Sequence, residues 1–153
     1  MPIIASLGAL TYTRQTRGQF YPSIGQFIFG GYYAGVYSGQ YLIVADKSTE
    51  GSGVYNTAYT NCENLVSNGY SDWHLPDYNM YPVMQTARLN PNWPSSQTYN
   101  VSGTSLRNYW INQGYPIYYP TLVTTYIFAT GLYDSGYANS NFSYRAIRLQ
   151  SFV

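Results

Sequence analysis

The chain reads as an α+β domain, with two helices near the middle of a β-rich sequence. Three observations carry that reading. Aromatic and β-branched runs such as FIFGGYYAGVY, QYLIVADKS and LVTTYIFAT are separated by glycine, serine and asparagine, as strands are by turns. One stretch, VYNTAYTNCENLVSNG, instead repeats Ala58, Cys62 and Leu65 at helical spacing. A second helix follows Pro76, and no period of 20 to 50 residues marks a repeat architecture. At 153 residues the chain has the size of one domain with a core of its own.

Taken in order, the opening IIASLGALTYTRQTRGQFYPSIG alternates weakly and breaks at Gly18 and Pro22, which predicts an extended arm or edge strand. The division expected is an arm over residues 1–25 and a domain over 26–153. The arm carries Arg14 and Arg17 on an otherwise apolar segment, so it is expected to be an assembly element. Phe27 to Tyr37 and Gln40 to Ser48 form a hairpin joined across Ser38-Gly39. The first helix is expected over about 55 to 67, closed by Gly69 as a left-handed cap.

SDWHLP is an extended link, because Pro76 pushes Leu75 away from helical angles. The second helix is expected over roughly 78 to 89. An N-cap at Asp77 would put Pro82 past the first turn, where it deletes a backbone bond, whereas a start at Asn79 leaves it harmless. PNWPSSQTYNVSGTS is a loop by composition, and strands are expected near Asn108 to Ile111, Leu122 to Thr130 and Phe142 to Leu149.

Charge excludes several functions. Only 8% of residues are charged, the net charge is +1 and Lys47 is the sole lysine. Such a surface attracts neither phosphate backbones nor acidic lipid, so no nucleic-acid or membrane partner is expected. No apolar run approaches the roughly 20 residues that span a bilayer, and the start lacks a signal-peptide pattern, so a soluble protein made without Sec export is expected. Low charge also favours association, so other subunits, including further copies of the chain, are expected partners.

The single cysteine and single histidine fall together in NCENLVSNGYSDWHLPD. Ser71, Asp72 and His74 are near-adjacent on an extended segment whose side chains alternate between faces, so they do not converge as a triad. Nothing near Cys62 lowers its thiol pKa, and a buried helical position is expected for it. One histidine and one cysteine fill no zinc set, and the six acids lack calcium-loop spacing. No glycine-rich phosphate loop opens a helix. Neither an enzyme nor a cofactor nor a metal is expected.

Several motifs in fixed order carry a resemblance. Ala58, Cys62, Leu65, Asp72, Trp73, Leu75 and Pro76, then Tyr109 and Trp110, then Tyr144, Arg145, Ile147 and Arg148, resemble the DUF1566 family of bacterial and phage domains. The likeness spans roughly residues 30 to 149. It departs at His74, where arginine or an aromatic is usual, at Asn79 and Met80 in the second helix, and at Ile111 and Asn112 after Tyr-Trp. It implies a C-type-lectin-like fold whose core motif is Cys62, Leu65, Asp72, Trp73, Leu75, Pro76, Trp110, Arg145 and Arg148.

The calcium-binding E-P-N, Q-P-D and W-N-D groups of sugar-binding lectins are missing, leaving loop carbonyls and Asp134 as the only conceivable ligands. GGYYAG from Gly30 to Gly35, LIVADKS from Leu42 to Ser48 and the opening SLGALTYTR are similar to phage members. That similarity implies a structural protein of a tailed-phage virion, in a tail fibre, appendage or capsid surface, exposed on the particle.

Within that frame Trp73 is expected to be buried with its indole N–H satisfied, and Asp72 to accept backbone donors. Arg145 and Arg148 are expected to present one charged face, with a salt bridge to Asp72 or Glu63. Nine of the 20 tyrosines, Tyr99, Tyr109, Tyr115, Tyr118, Tyr119, Tyr126, Tyr133, Tyr137 and Tyr144, stand among asparagine, serine and glycine between residues 99 and 144. Antibody loops use that mixture, rigid amphipathic rings with adaptable amides between them. The expected surface comprises Tyr115, Tyr118, Tyr119, Tyr133, Tyr137, Asn139 and Asn141. Two readings stand equal: a surface for a host glycan or receptor, and a surface buried against neighbouring virion subunits.

Overall fold

The computed structural model describes residues 20–153. It is a mixed α+β domain, mostly sheet with two helices. Of the expected arm, residues 1–19, including Arg14 and Arg17, lie outside the described residues. Residues 20–25 lie against the domain: Tyr41 donates to the Phe20 carbonyl, Gly25 N–H donates to Tyr33 O at 2.8 Å, and Ile24 packs on the core.

The first sheet has the order β1–β2–β3–β9, from Phe27–Ile28, Gly31–Tyr37, Gln40–Val44 and Ile147–Ser151, all antiparallel. Strands β2 and β3 are the expected hairpin, turning at Ser38-Gly39, both with positive φ. The alternation of β3 explains its uninterrupted apolar run. Tyr41 and Ile43 enter one core cluster with helix α1, Tyr55–Glu63, and Leu42 and Val44 enter another with helix α2, Tyr81–Arg88. Tyr41 to Val44 are thus fully buried on both faces of the strand, which favours an apolar side chain at each position.

The GG of GGYYAG has a steric cause. A Cβ at Gly31 would lie 2.4 Å from Val44 O and 3.1 Å from the Trp73 ring, and one at Gly30 would lie 2.3 Å from the Tyr70 ring. The backbone of β2 thus approaches the DWHLP segment as closely as glycine permits.

Helix α1 ends at Glu63, earlier than expected. Gly69 is left-handed, but it caps no helix. Asn68 (φ 52°) and Gly69 (φ 83°) form the turn of a tiny hairpin closed by Ser67 and Tyr70, whose N–H and C=O groups exchange bonds of 3.0 Å. Asn-Gly prefers that turn, and it outcompetes the last helical turn. The second helix begins as a 3-10 turn, Tyr78–Met80, preceded by Asp77, and becomes α-helical at Tyr81. Pro82 falls in the first α-turn, so both starts weighed in the sequence are partly realised.

The second sheet has the order β4–β8–β5–β6–β7, from Gly51–Gly53, Phe142–Tyr144, Asn108–Trp110, Leu122–Ile127 and Leu132–Tyr137. Strands β5 and β8 run parallel, and the other pairs are antiparallel. The expected strand Phe142 to Leu149 is two strands in two sheets. The chain crosses between them at Arg145-Ala146, where Ala45 N–H donates to Ala146 O at 3.0 Å. Strands β4 and β7 carry no strand signal in the sequence.

Trp73 and Trp110 are fully buried, each with its indole satisfied, by Tyr70 O (3.1 Å) and Gly53 O (2.8 Å). Truncating either would cost about 3–5 kcal/mol. Leu75, Pro76 and Cys62 are buried and Leu65 half-buried. The extended link forms one antiparallel bridge, His74 to Ile147, and so docks DWHLP on β9.

Candidate interaction surface

Residues 111–121 connect β5 to β6 and form a loop held rigidly from beneath. Tyr55, at the start of α1, is buried, and its hydroxyl accepts the Gln113 N–H (2.9 Å) while donating to Gly114 O (2.7 Å). Burial pushes that phenol above its ordinary pKa, so it remains a donor. One residue on, the Asn56 amide donates to Ile117 O (2.8 Å) and accepts the Ile117 N–H (2.9 Å). Asn112 N–H donates to Pro76 O, and Thr121 O accepts from Ala138 N–H. The side chain of Ile117 packs on the core. A single turn of helix therefore reads the loop backbone as a strand would.

With its backbone and one apolar side chain held below, the loop turns its tyrosines outward. Tyr115, Tyr118 and Tyr119 are 55%, 70% and 63% exposed, and Tyr137 on β7 is 49% exposed. Tyr115 stacks on Tyr59 of α1 at 4.9 Å, and Tyr119 meets Tyr137 edge-on at 5.8 Å. Exposed Leu122 is the β6 partner of Tyr137. The Tyr115-Pro116 and Tyr119-Pro120 peptides are cis. Asn139 and Asn141 are exposed in the turn after Tyr137, beside Ala138. No charged residue occurs between Arg107 and Asp134.

Other expected members fall elsewhere. Tyr133 stacks on Tyr78 at 3.9 Å and donates to Tyr78 O at 2.9 Å, with its hydroxyl pushed up to about 12 by burial and then by Tyr78. Tyr99, Tyr109, Tyr126 and Tyr144 are core, not surface. Tyr99 stacks on Phe128 at 3.8 Å, and Tyr126 on Tyr81 at 5.0 Å.

The two arginines of the closing motif present no charged face, because both are buried. Arg148 takes Asp72 in a two-point grip, Nε to Oδ1 at 2.7 Å and Nη2 to Oδ2 at 2.9 Å, with its Cζ 3.9 Å above the Tyr70 ring. Of the two expected salt-bridge partners, Asp72 is thus the one taken, and Arg148 is the arginine that takes it. Arg145 pairs with Glu50, Nε to Oε2 at 2.9 Å, and not with Glu63, which is exposed. Glu50 also receives Lys47 Nζ at 2.6 Å, Asn100 Nδ2 at 3.0 Å and the Tyr109 hydroxyl at 3.1 Å. No sequence signal marks Glu50 as a hub, or Tyr55 and Asn56 as anchors, since most of their partners lie about 50 residues or more away.

Ser71 and Asp72 are exposed, Asp72 is engaged by Arg148, and the backbone of His74 is bridged to Ile147. Cys62 is buried, and burial, then the Glu63 charge, push its thiol well above the ordinary value. Asp134 accepts from Asn108 Nδ2 at 3.2 Å. Among the described residues no three His, Cys, Asp or Glu side chains are placed to hold a metal ion, and no helix is long and apolar enough to cross a membrane.

Comparison with protein-family models gives no match, and comparison with curated proteins gives none.

Proposed function

We propose that this chain is a non-enzymatic structural protein of a tailed-phage virion, of C-type-lectin-like fold, whose loop 111–121 recognises a host glycan or receptor. One observation carries the recognition role. Tyr115, Tyr118 and Tyr119 stand exposed on a loop whose backbone is already bonded to Tyr55, Asn56 and Pro76. A partner therefore meets rings that lose little further freedom on binding. The lack of charge between Arg107 and Asp134 selects a neutral partner, bound through ring faces and hydroxyls and with little dependence on salt. The virion setting rests on the resemblance of GGYYAG, LIVADKS and SLGALTYTR to phage DUF1566 proteins.

A second reading is favoured by Leu122, exposed beside Tyr137 and continuous with the tyrosines. Dry contact of that kind suits a neighbouring virion subunit. The deciding experiment compares particles carrying the wild-type chain, Tyr118→Ala or Tyr119→Ala, for incorporation of the chain and for adsorption to host cells. Normal incorporation with lost adsorption supports recognition. Lost incorporation supports the subunit interface, and normal behaviour in both assays overturns the loop as a functional surface.

A further inference from the structure

A concave feature shares no residue with the tyrosine loop and is backed by Phe128, the residue after β6, through its stack on Tyr99. A cavity of about 250 Å³ opens where the C-terminal end of α2 meets residues 89–101. Leu89, Trp93, Tyr99 and Val101 supply apolar walls, Thr98 supplies a hydroxyl and Arg88 supplies a cation.

The walls are preformed. The Trp93 indole donates to Gln97 O at 3.0 Å, and its ring lies nearly parallel to Tyr99 at 6.3 Å. Tyr99 is fixed by Phe128 on stacking at 3.8 Å and by the Arg145 guanidinium 4.5 Å from its centroid. The loop backbone is gripped from far along the chain. Arg145 donates to Gln97 O (3.1 Å) and Thr98 O (2.9 Å), Gln97 donates to Asp46 (3.1 Å) and accepts the Lys47 N–H (2.8 Å), and Asn100 donates to Glu50 and Ser143, each at 3.0 Å.

One group in this lining is left over. Arg88 makes no ion pair among the described residues, in a chain with few charges, and no acid lines the cavity. A guanidinium offers a planar fork that matches a carboxylate at two points, and aromatic and aliphatic walls of this size take one ring.

We propose that this cavity is a binding site for a small ring-bearing carboxylate, held by Arg88 through its acid group and by Trp93, Tyr99, Leu89 and Val101 through its ring. The carboxylate belongs to a free acid or to an aromatic residue at a peptide C-terminus. The site is independent of the tyrosine loop, so either can fail alone.

Tryptophan fluorescence reads it directly, because Trp93 lines the cavity while Trp73 and Trp110 are fully buried in the other core cluster. The full chain is titrated with 3-phenylpropionate, with its neutral amide, and with the dipeptide Ala-Phe carrying a free C-terminus. Saturable change is expected with at least one of the two acids, with the tighter acid identifying the source. The neutral amide should bind about tenfold more weakly than the free acid, the worth of a hydrogen bond to a charged group.

Arg88→Gln should erase the acid-over-amide preference, and Val101→Phe should fill the cavity and abolish binding of every probe. Both positions reach solvent, and circular dichroism checks that both variants fold. No saturable change below about 10 mM of either acid overturns the proposal, as does a preference that survives in Arg88→Gln.

Discussion

Arg148 and Asp72, 76 positions apart, meet in a two-point ion pair of 2.7 and 2.9 Å that ties DWHLP to the final strand. The hydrogen bonds from Arg148 hold the Asp72 carboxyl below its ordinary range, partly opposed by desolvation. A depressed carboxyl pKa stabilises the fold above the unfolded value near about 4, and that contribution is lost as pH falls through the folded value. Asp72→Asn should therefore lower stability at neutral pH, and its deficit should shrink as wild type and variant are compared at progressively more acidic pH. Because Asp72 is 56% exposed, solvent screens the pair and the deficit should be only about 1 kcal/mol. Urea denaturation of both proteins from pH 7 to pH 2.5 checks the trend; a deficit independent of pH would exclude the charge as its cause.

Arg145 and Glu50 behave differently, because neither side chain reaches water appreciably. Arg145→Met should cost about 3–5 kcal/mol by leaving Glu50 without its buried counter-charge. Adding Glu50→Gln should return part of that loss, with a coupling of about 1–3 kcal/mol in a double-mutant cycle. Additive losses in chemical denaturation would mean that Arg145 matters through its bonds to Gln97 and Thr98 and its contact with the Tyr99 ring, and not through Glu50.

Cys62 should be chemically silent in the native protein. Its burial and its raised thiol pKa leave almost no accessible thiolate at neutral pH. Labelling by iodoacetamide at pH 8 should be negligible until denaturant unfolds the chain, and should then follow the unfolding transition. Fast native labelling would show that α1 opens locally.

Asn56 is the test of loop preorganisation, since it touches no proposed partner. Asn56→Ala removes both bonds to Ile117 and should cost about 1–2 kcal/mol in stability. It should also raise amide hydrogen exchange across residues 113–118 and weaken whatever the tyrosines bind. Unchanged exchange there would mean that Tyr55 and the Ile117 side chain alone hold the loop.

Local chemistry made much of the fold readable. The Ser38-Gly39 hairpin, the helical repeat of Ala58 and Cys62, the break at Pro76 and the placing of Pro82 in a first helical turn depend on residues within a few positions of one another. Strand β7 was hidden because LYDSGY is an edge segment, half exposed, and pairs through its register with β6 more than through an apolar face. Strand β4 was hidden because GSG has no strand propensity and is recruited by β8.

The sequence by itself determined the α+β class, the two helices, the buried roles of Cys62, Trp73 and Leu75, and the crowding of tyrosine between residues 99 and 144. Only the tertiary structure decided which tyrosines are surface and which are core. Tyrosine has the same ring and hydroxyl in either place, and the choice is made by distant residues: Phe128 covers Tyr99 and Glu50 takes the Tyr109 hydroxyl, whereas the loop of Tyr118 is held by its backbone and leaves that ring outside. The same is true of Arg145, whose burial follows from a carboxylate almost a hundred residues earlier in the chain.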